Sequence, residues 1–90
     1  MPMPLTMYGK TYCDDTDHTR RTLHEWSIPF EEVNIDHDLD ANQFVIFINE
    51  SCRSTPTLVF SQGKFKIIIT EPSDEVLRQV LVEAGYTVKA

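Results

Sequence analysis

The chain is sparing in three things: glycine, cysteine and long apolar runs. Three glycines and five prolines in 90 residues are too few for a fibrous repeat or a disordered linker-like composition. Two cysteines, Cys13 and Cys52, cannot frame a disulfide scaffold. The longest apolar stretch, Phe44 to Ile48, falls far short of the about 20 residues that span a bilayer. Basic residues are scarce too. Eight Lys and Arg stand against fourteen Asp and Glu, a formal net charge of −6 with no basic run, which disfavours a nucleic-acid partner. The opening Met1-Pro2-Met3-Pro4-Leu5 lacks the basic and apolar regions of a signal peptide. The expectation is one cytoplasmic domain over residues 1–90, without a membrane partner, in a reducing compartment where a thiol is free, catalytic or a ligand.

What is present reads as alternating elements. Leu5 to Tyr8, closed by Gly9, reads as a strand. Asp14 to Trp26 runs without Gly or Pro, acidic at its start (Asp14, Asp15, Asp17) and basic later (Arg20, Arg21, His24), the polarity that suits a helix dipole. Its apolar face is thin, Leu23 and Trp26 with help from Thr16 and Thr19. Phe30 to Ile35 alternates as a second strand after the break at Pro29. Ala41 to Asn49 is ambiguous: its β-branched run favours a strand, while Asp38 and Asp40 sit where a helix cap is useful. Thr57 to Phe60 and Phe65 to Thr70 read as strands joined by Ser61-Gln62-Gly63-Lys64. Ser73 then caps a helix with an apolar stripe of Val76, Leu77, Val80, Leu81 and Ala84, stopped by Gly85. The first two strands are expected to be parallel and the last two antiparallel.

This order gives Cys13 chemical interest. It falls between the first strand and the first helix, where a side chain reaches the carboxyl edge of a sheet. The helix N-terminus favours thiolate over thiol, and Lys10 adds a cation. A thiolate is the nucleophile of thiol–disulfide exchange. The plain alternative is a small buried hydrophobe. Asp14 and Asp15 oppose ionisation as like charges, though acids in a first helical turn also serve as caps. His18, His24 and His37 match no zinc spacing and read as solvated surface residues. Cys52 reads as incidental, with a remote resolving thiol as the alternative.

Three motifs then carry a resemblance. Lys10-Thr11-Tyr12-Cys13 resembles the K-T-Y-C that opens the glutaredoxin active site, with Tyr8-Gly9 at the strand end before it. Arg53-Ser54-Thr55-Pro56 is similar to the family's R-S/T-V-P loop, and Glu71-Pro72-Ser73-Asp74 resembles the start of the last helix in the glutaredoxin-like branch that includes mycoredoxins. The resemblance implies a thioredoxin-like α/β sandwich, βαβαββα, with a four-stranded mixed sheet flanked by helices, and helix for Ala41 to Asn49. It implies a cis bond at Pro56 facing Cys13, with Cys13 catalytic and Lys10, Tyr12, Arg53, Thr55, Pro56, Ser73 and Asp74 around the bound thiol. It implies no tightly bound cofactor and no metal; the partners are a protein disulfide and a low-molecular-weight thiol such as glutathione.

The departures are as informative. Glutaredoxins usually carry C-P-Y-C and one monothiol branch carries C-G-F-S, whereas the motif here is Cys13-Asp14-Asp15-Thr16. Thr16 occupies the resolving position and cannot form a disulfide, so a dithiol cycle within the motif is excluded. The Gly-Gly-x-Asp that receives the glutamyl end of glutathione is missing. Two readings follow: a monothiol thiol–disulfide oxidoreductase in redox homeostasis and electron transfer, or a redoxin fold that has lost catalysis and docks a protein or small ligand.

Overall fold

The computed structural model describes residues 1–88. Seven elements follow one another: β1 (Leu5–Gly9), α1 (Asp14–Glu25), β2 (Glu31–Asn34), α2 (Leu39–Ile48), β3 (Thr57–Gln62), β4 (Phe65–Thr70) and α3 (Asp74–Glu83). The strands form one mixed sheet in the order β2-β1-β3-β4. β1 and β2 are parallel, while β3 is antiparallel to both β1 and β4. The thioredoxin-like sandwich implied by the motifs is therefore the observed architecture.

Each helix begins with a side-chain cap. The Cys13 sulfur accepts from the Thr16 N–H, Asp38 from Ala41 and Ser73 from Val76. The cap at Asp38, with Asp40 inside the first turn, lets Phe44-Val45-Ile46-Phe47-Ile48 be helical despite its strand propensity. Only Ala41 and Val45 of α2 are buried, and Phe47 stands in solvent. The β3–β4 connection is tighter than the four residues expected: Ser61 and Gln62 pair with Lys66 and Phe65, leaving Gly63 and Lys64 as the turn. Gly63 takes the left-handed φ of +59° that such a turn needs. Val76 leaves the expected stripe of α3 and is exposed.

Two apolar clusters flank the sheet. On one face Leu5, Met7, Leu58 and Phe60 pack with Leu23 of α1, Leu77 and Leu81 of α3, and Ala84 just beyond it. On the other, Ile35, Ala41 and Val45 pack with Tyr8, Val33 and Phe44 under α2. The α1 face stays thin in apolar atoms, and buried Thr16, Thr19 and Thr22 complete it. Gly9 lets α1 come close: a Cβ there would meet the Thr16 Cγ2 methyl at 2.4 Å.

This packing predicts a sharp contrast between neighbours in α3. Leu81 is fully buried, so Leu81→Ala is expected to cost about 2–5 kcal/mol in urea denaturation. Val82 is 58% exposed, and Val82→Ala should change stability by less than about 0.5 kcal/mol.

Candidate active site

The sheet order sets the end of β1 beside the start of β3, with Tyr8 opposite Thr57. The loops leaving those ends bring Cys13 and Thr55 together. The Cys13 thiol lies 3.3 Å from the Thr55 hydroxyl and donates at 3.8 Å to the Thr55 carbonyl. The Thr55–Pro56 peptide is cis, as the R-S/T-V-P resemblance implied. The Pro56 carbonyl accepts from the Glu71 N–H at 2.8 Å, and the Thr57 hydroxyl donates at 2.8 Å to the Ser54 carbonyl, so both sides of this loop are tied. Asn49 at the end of α2 adds bonds to the Thr57 and Thr70 hydroxyls.

Cys13 is half-buried and free; Cys52 is exposed and also free. Burial pushes the Cys13 thiol up. Hydrogen bonds from the Thr16 and Thr55 side chains and from the Thr16 and Asp15 backbone N–H groups outweigh it and hold the thiol below the ordinary cysteine value. Hydrogen bonds to the sulfur are the leading influences that lower it. Asp15 even favours the thiolate, through its main chain.

The family model described as Glutaredoxin matches residues 5–65. The chain belongs to the glutaredoxin family. A protein of Mycobacterium tuberculosis strain H37Rv that carries the glutaredoxin name is 33% identical over 82 residues, covering 90% of this chain and 94% of its own. Among solved structures, a thioredoxin-like protein gives a TM-score of 0.71 at 21% identity, over 89% of this chain and 95% of its own. The glutaredoxin of Methanosarcina mazei Go1 gives 0.69 at 22%, over 93% and 80%. The NrdH-redoxin of Escherichia coli gives 0.62 at 21%, over 84% and 93%. The structural likenesses speak to the fold. Family membership supports a thiol–disulfide oxidoreductase-like function and implies thiols or protein disulfides as substrates. Among the described residues, no helix is long and apolar enough to cross a membrane.

Against the glutaredoxin frame, the other expected site residues fall into different surroundings. Tyr12, at a left-handed φ of 56°, projects its ring fully into solvent beside Cys13. Lys10 makes no hydrogen bond or ion pair among the described residues. Arg53 is engaged: its guanidinium donates to Asp36 and to Asn42, both at 2.6 Å. Asp36 also accepts from the Thr11 N–H at 3.0 Å, and Asn34 donates to the Thr11 hydroxyl. This chain of contacts joins the active-site loop, the β2–α2 loop and the loop before Pro56. Ser73 uses its hydroxyl as the α3 cap, and Asp74 contacts His18 at 2.8 Å, linking α3 to α1. His18, exposed at the surface as the sequence suggested, also bridges the two helices. Sequence reasoning missed Asn34, Asp36 and Asn42 because nothing local pairs them; their position just beyond a strand's carboxyl end was the available signal.

The Asp36–Arg53 contact predicts a pH dependence. The Arg53 guanidinium, with the Thr11 N–H, holds the Asp36 carboxyl below its ordinary value. A depressed aspartate stabilises fully above its unfolded pKa, near 3.9, and loses that contribution as pH falls through the folded value. Wild type should therefore melt above Asp36→Ala at neutral pH, and the gap should close as the pH is lowered below about 4. Thermal denaturation at stepped pH values reads this directly.

Proposed function

We propose that this chain is a monothiol glutaredoxin with Cys13 as the nucleophile, acting in cytoplasmic redox homeostasis and electron transfer. The observation that carries the reading is the Cys13 sulfur, capping α1 and facing Thr55, with buried Thr16 where a second thiol would stand. The Cys13 thiolate attacks one sulfur of a mixed disulfide, forms a new S–S bond to it and expels the other sulfur as a thiolate. A low-molecular-weight thiolate, such as that of glutathione, then attacks the substrate-derived sulfur and returns the electron pair to Cys13. Thr55 and Pro56 present main-chain groups to the bound thiol or peptide, with Lys10, Tyr12 and Arg53 on one side and Ser73 and Asp74 on the other.

Cys13→Ser is expected to abolish reduction of a glutathione mixed disulfide, and Cys52→Ser to leave most of it, in a coupled thiol-release assay. Activity that survives Cys13→Ser would overturn the reading. Wild type without activity on any disulfide would instead favour the non-catalytic binding module, the account that Asp14, Asp15 and the missing Gly-Gly-x-Asp support.

Asp14 and Asp15 are exposed at the mouth of the site, where they meet the substrate more directly than the sulfur. Replacing both with Asn removes two negative charges next to Cys13 in the chain. It should speed reduction of anionic glutathione disulfide several-fold at low ionic strength, with the difference fading as salt is added. An equal effect at high salt would show that the acids do not act through charge.

A further inference from the structure

Under the start of α2 a groove of about 370 Å³ opens on the sheet face away from α1 and α3. Tyr8, Val33, Ala41 and Phe44 give it an apolar lining, and Asp38 and Asp40 stand on its α2 side. The Tyr8 and Phe44 rings meet there with their centroids 5.1 Å apart. Side chains alternate along a strand, so Glu31 projects from β2 on the same face as Val33. Burial pushes the Tyr8 hydroxyl up, and the Glu31 and Asp38 carboxylates add to it, which sets both acids close to the ring. Glu31, Asp38 and Asp40 are all exposed, and none forms an ion pair among the described residues. Capping accounts for one oxygen of Asp38, which accepts from the Ala41 N–H at 3.0 Å. It does not account for Asp40 or Glu31. Arg53, the cation that touches α2, is already taken by Asp36 and Asn42.

Aromatic faces beside carboxylates without a cation suit an organic cation, above all a guanidinium, which stacks on rings and pairs with acids. The strand beside the groove says how such a group arrives. β2 lies at the end of the sheet and pairs only with β1, so its outer edge carries free main-chain groups. An extended peptide laid along that edge continues the sheet, and every second side chain falls beside Glu31 and Val33, over the groove. We propose that the groove receives an arginine side chain from an extended basic segment of a partner protein bound along β2. A second copy of this chain is a poor occupant, because pairing β2 with β2 brings Glu31 and Glu32 of both copies together. Nucleic acid carries the wrong sign. The carboxyl end of β2 leads to the active-site loop, where Asn34 donates to the Thr11 hydroxyl at 3.0 Å. A segment seated along β2 therefore runs toward the sheet edge that carries Cys13. The groove thus selects protein disulfides flanked by arginine, a substrate assignment that rests on the oxidoreductase reading.

Amide NMR titration of the full chain tests this with a short acetylated and amidated peptide of alternating Thr and Arg. A matched peptide carries Glu in place of Arg. The arginine peptide is expected to give saturable shifts over β2 and at Tyr8, Ala41 and Phe44, and the glutamate peptide none. Glu31→Gln combined with Asp40→Asn should weaken binding about five-fold. Glu25→Gln combined with Glu83→Gln removes the same charge from exposed positions elsewhere and should leave binding near wild type. Shifts scattered over the whole surface, equal binding of both peptides, or equal losses in the two double variants would overturn the groove. The comparison of peptides on wild type needs no variant to fold. Each peptide, extended by a terminal cysteine in mixed disulfide with glutathione, then serves as a substrate. The arginine form should show the lower KM, and the difference should vanish in Glu31→Gln with Asp40→Asn. Equal KM values in wild type would overturn the substrate assignment. Because the titration peptide contains no sulfur, binding is read apart from turnover. Saturable binding by a chain that reduces neither disulfide would sink the oxidoreductase reading and leave the groove as a docking site for arginine.

Discussion

A single contact, from the Thr16 N–H to the Cys13 sulfur, ties the start of a helix to the chemistry of a thiol. The first N–H groups of any helix lack partners inside it, and a side chain at the cap position normally supplies oxygen. Here the cap is sulfur, at the extended backbone geometry of Cys13 with φ −114° and ψ 113°. The Asp17 N–H then closes the first helical turn onto the Cys13 carbonyl at 3.0 Å. A thiolate accepts more strongly than a thiol, so α1 is better capped when Cys13 is ionised. Helix stability and nucleophile stability rise together.

That coupling works only if α1 sits where the sulfur meets the opposing loop. Three devices fix it. Gly9 lets the Thr16 methyl press against the end of β1. The sheet order places β1 and β3 side by side at the centre, so the two loops that carry Cys13 and Thr55 leave from neighbouring strand ends. The Thr11–Asp36–Arg53–Asn42 contacts then tie those loops to the start of α2. Arg53 acts within this arrangement as a brace, its donors turned toward Asp36 and Asn42. The exposed pairs in the brace each contribute little to stability, and their value lies in the orientation they impose.

The fold was largely legible in the chain because its signals were local. Ser73 with Asp74 and Glu75, the Leu77 and Leu81 stripe and Gly85 spell out α3 without reference to anything distant. α2 was the exception. Its Phe44 to Ile48 run speaks for a strand, and only the cap at Asp38 and the family resemblance pointed to helix. The cysteine's placement and the cis bond at Pro56 were legible too, one from element order and the other from a motif. The brace was not, since Asp36 and Arg53 lie 17 positions apart and meet only through the loop geometry. Nor was the His18–Asp74 contact, which spans 56 positions and two helices.

The balance of charge around Cys13 was illegible for a different reason. A sequence lists Lys10, Asp14 and Asp15 within three positions of Cys13, but it does not say which are screened. In water-exposed positions a unit charge a few ångströms away is worth only about 1 kcal/mol, and salt reduces it further. N–H and O–H donors close to the sulfur are less exposed to such screening, and together they outweigh burial. Asp14 and Asp15, both exposed, are screened in this way. Fixed donors close to the sulfur, on the first turn of α1 and on the loop before Pro56, therefore set the direction in which its ionisation moves.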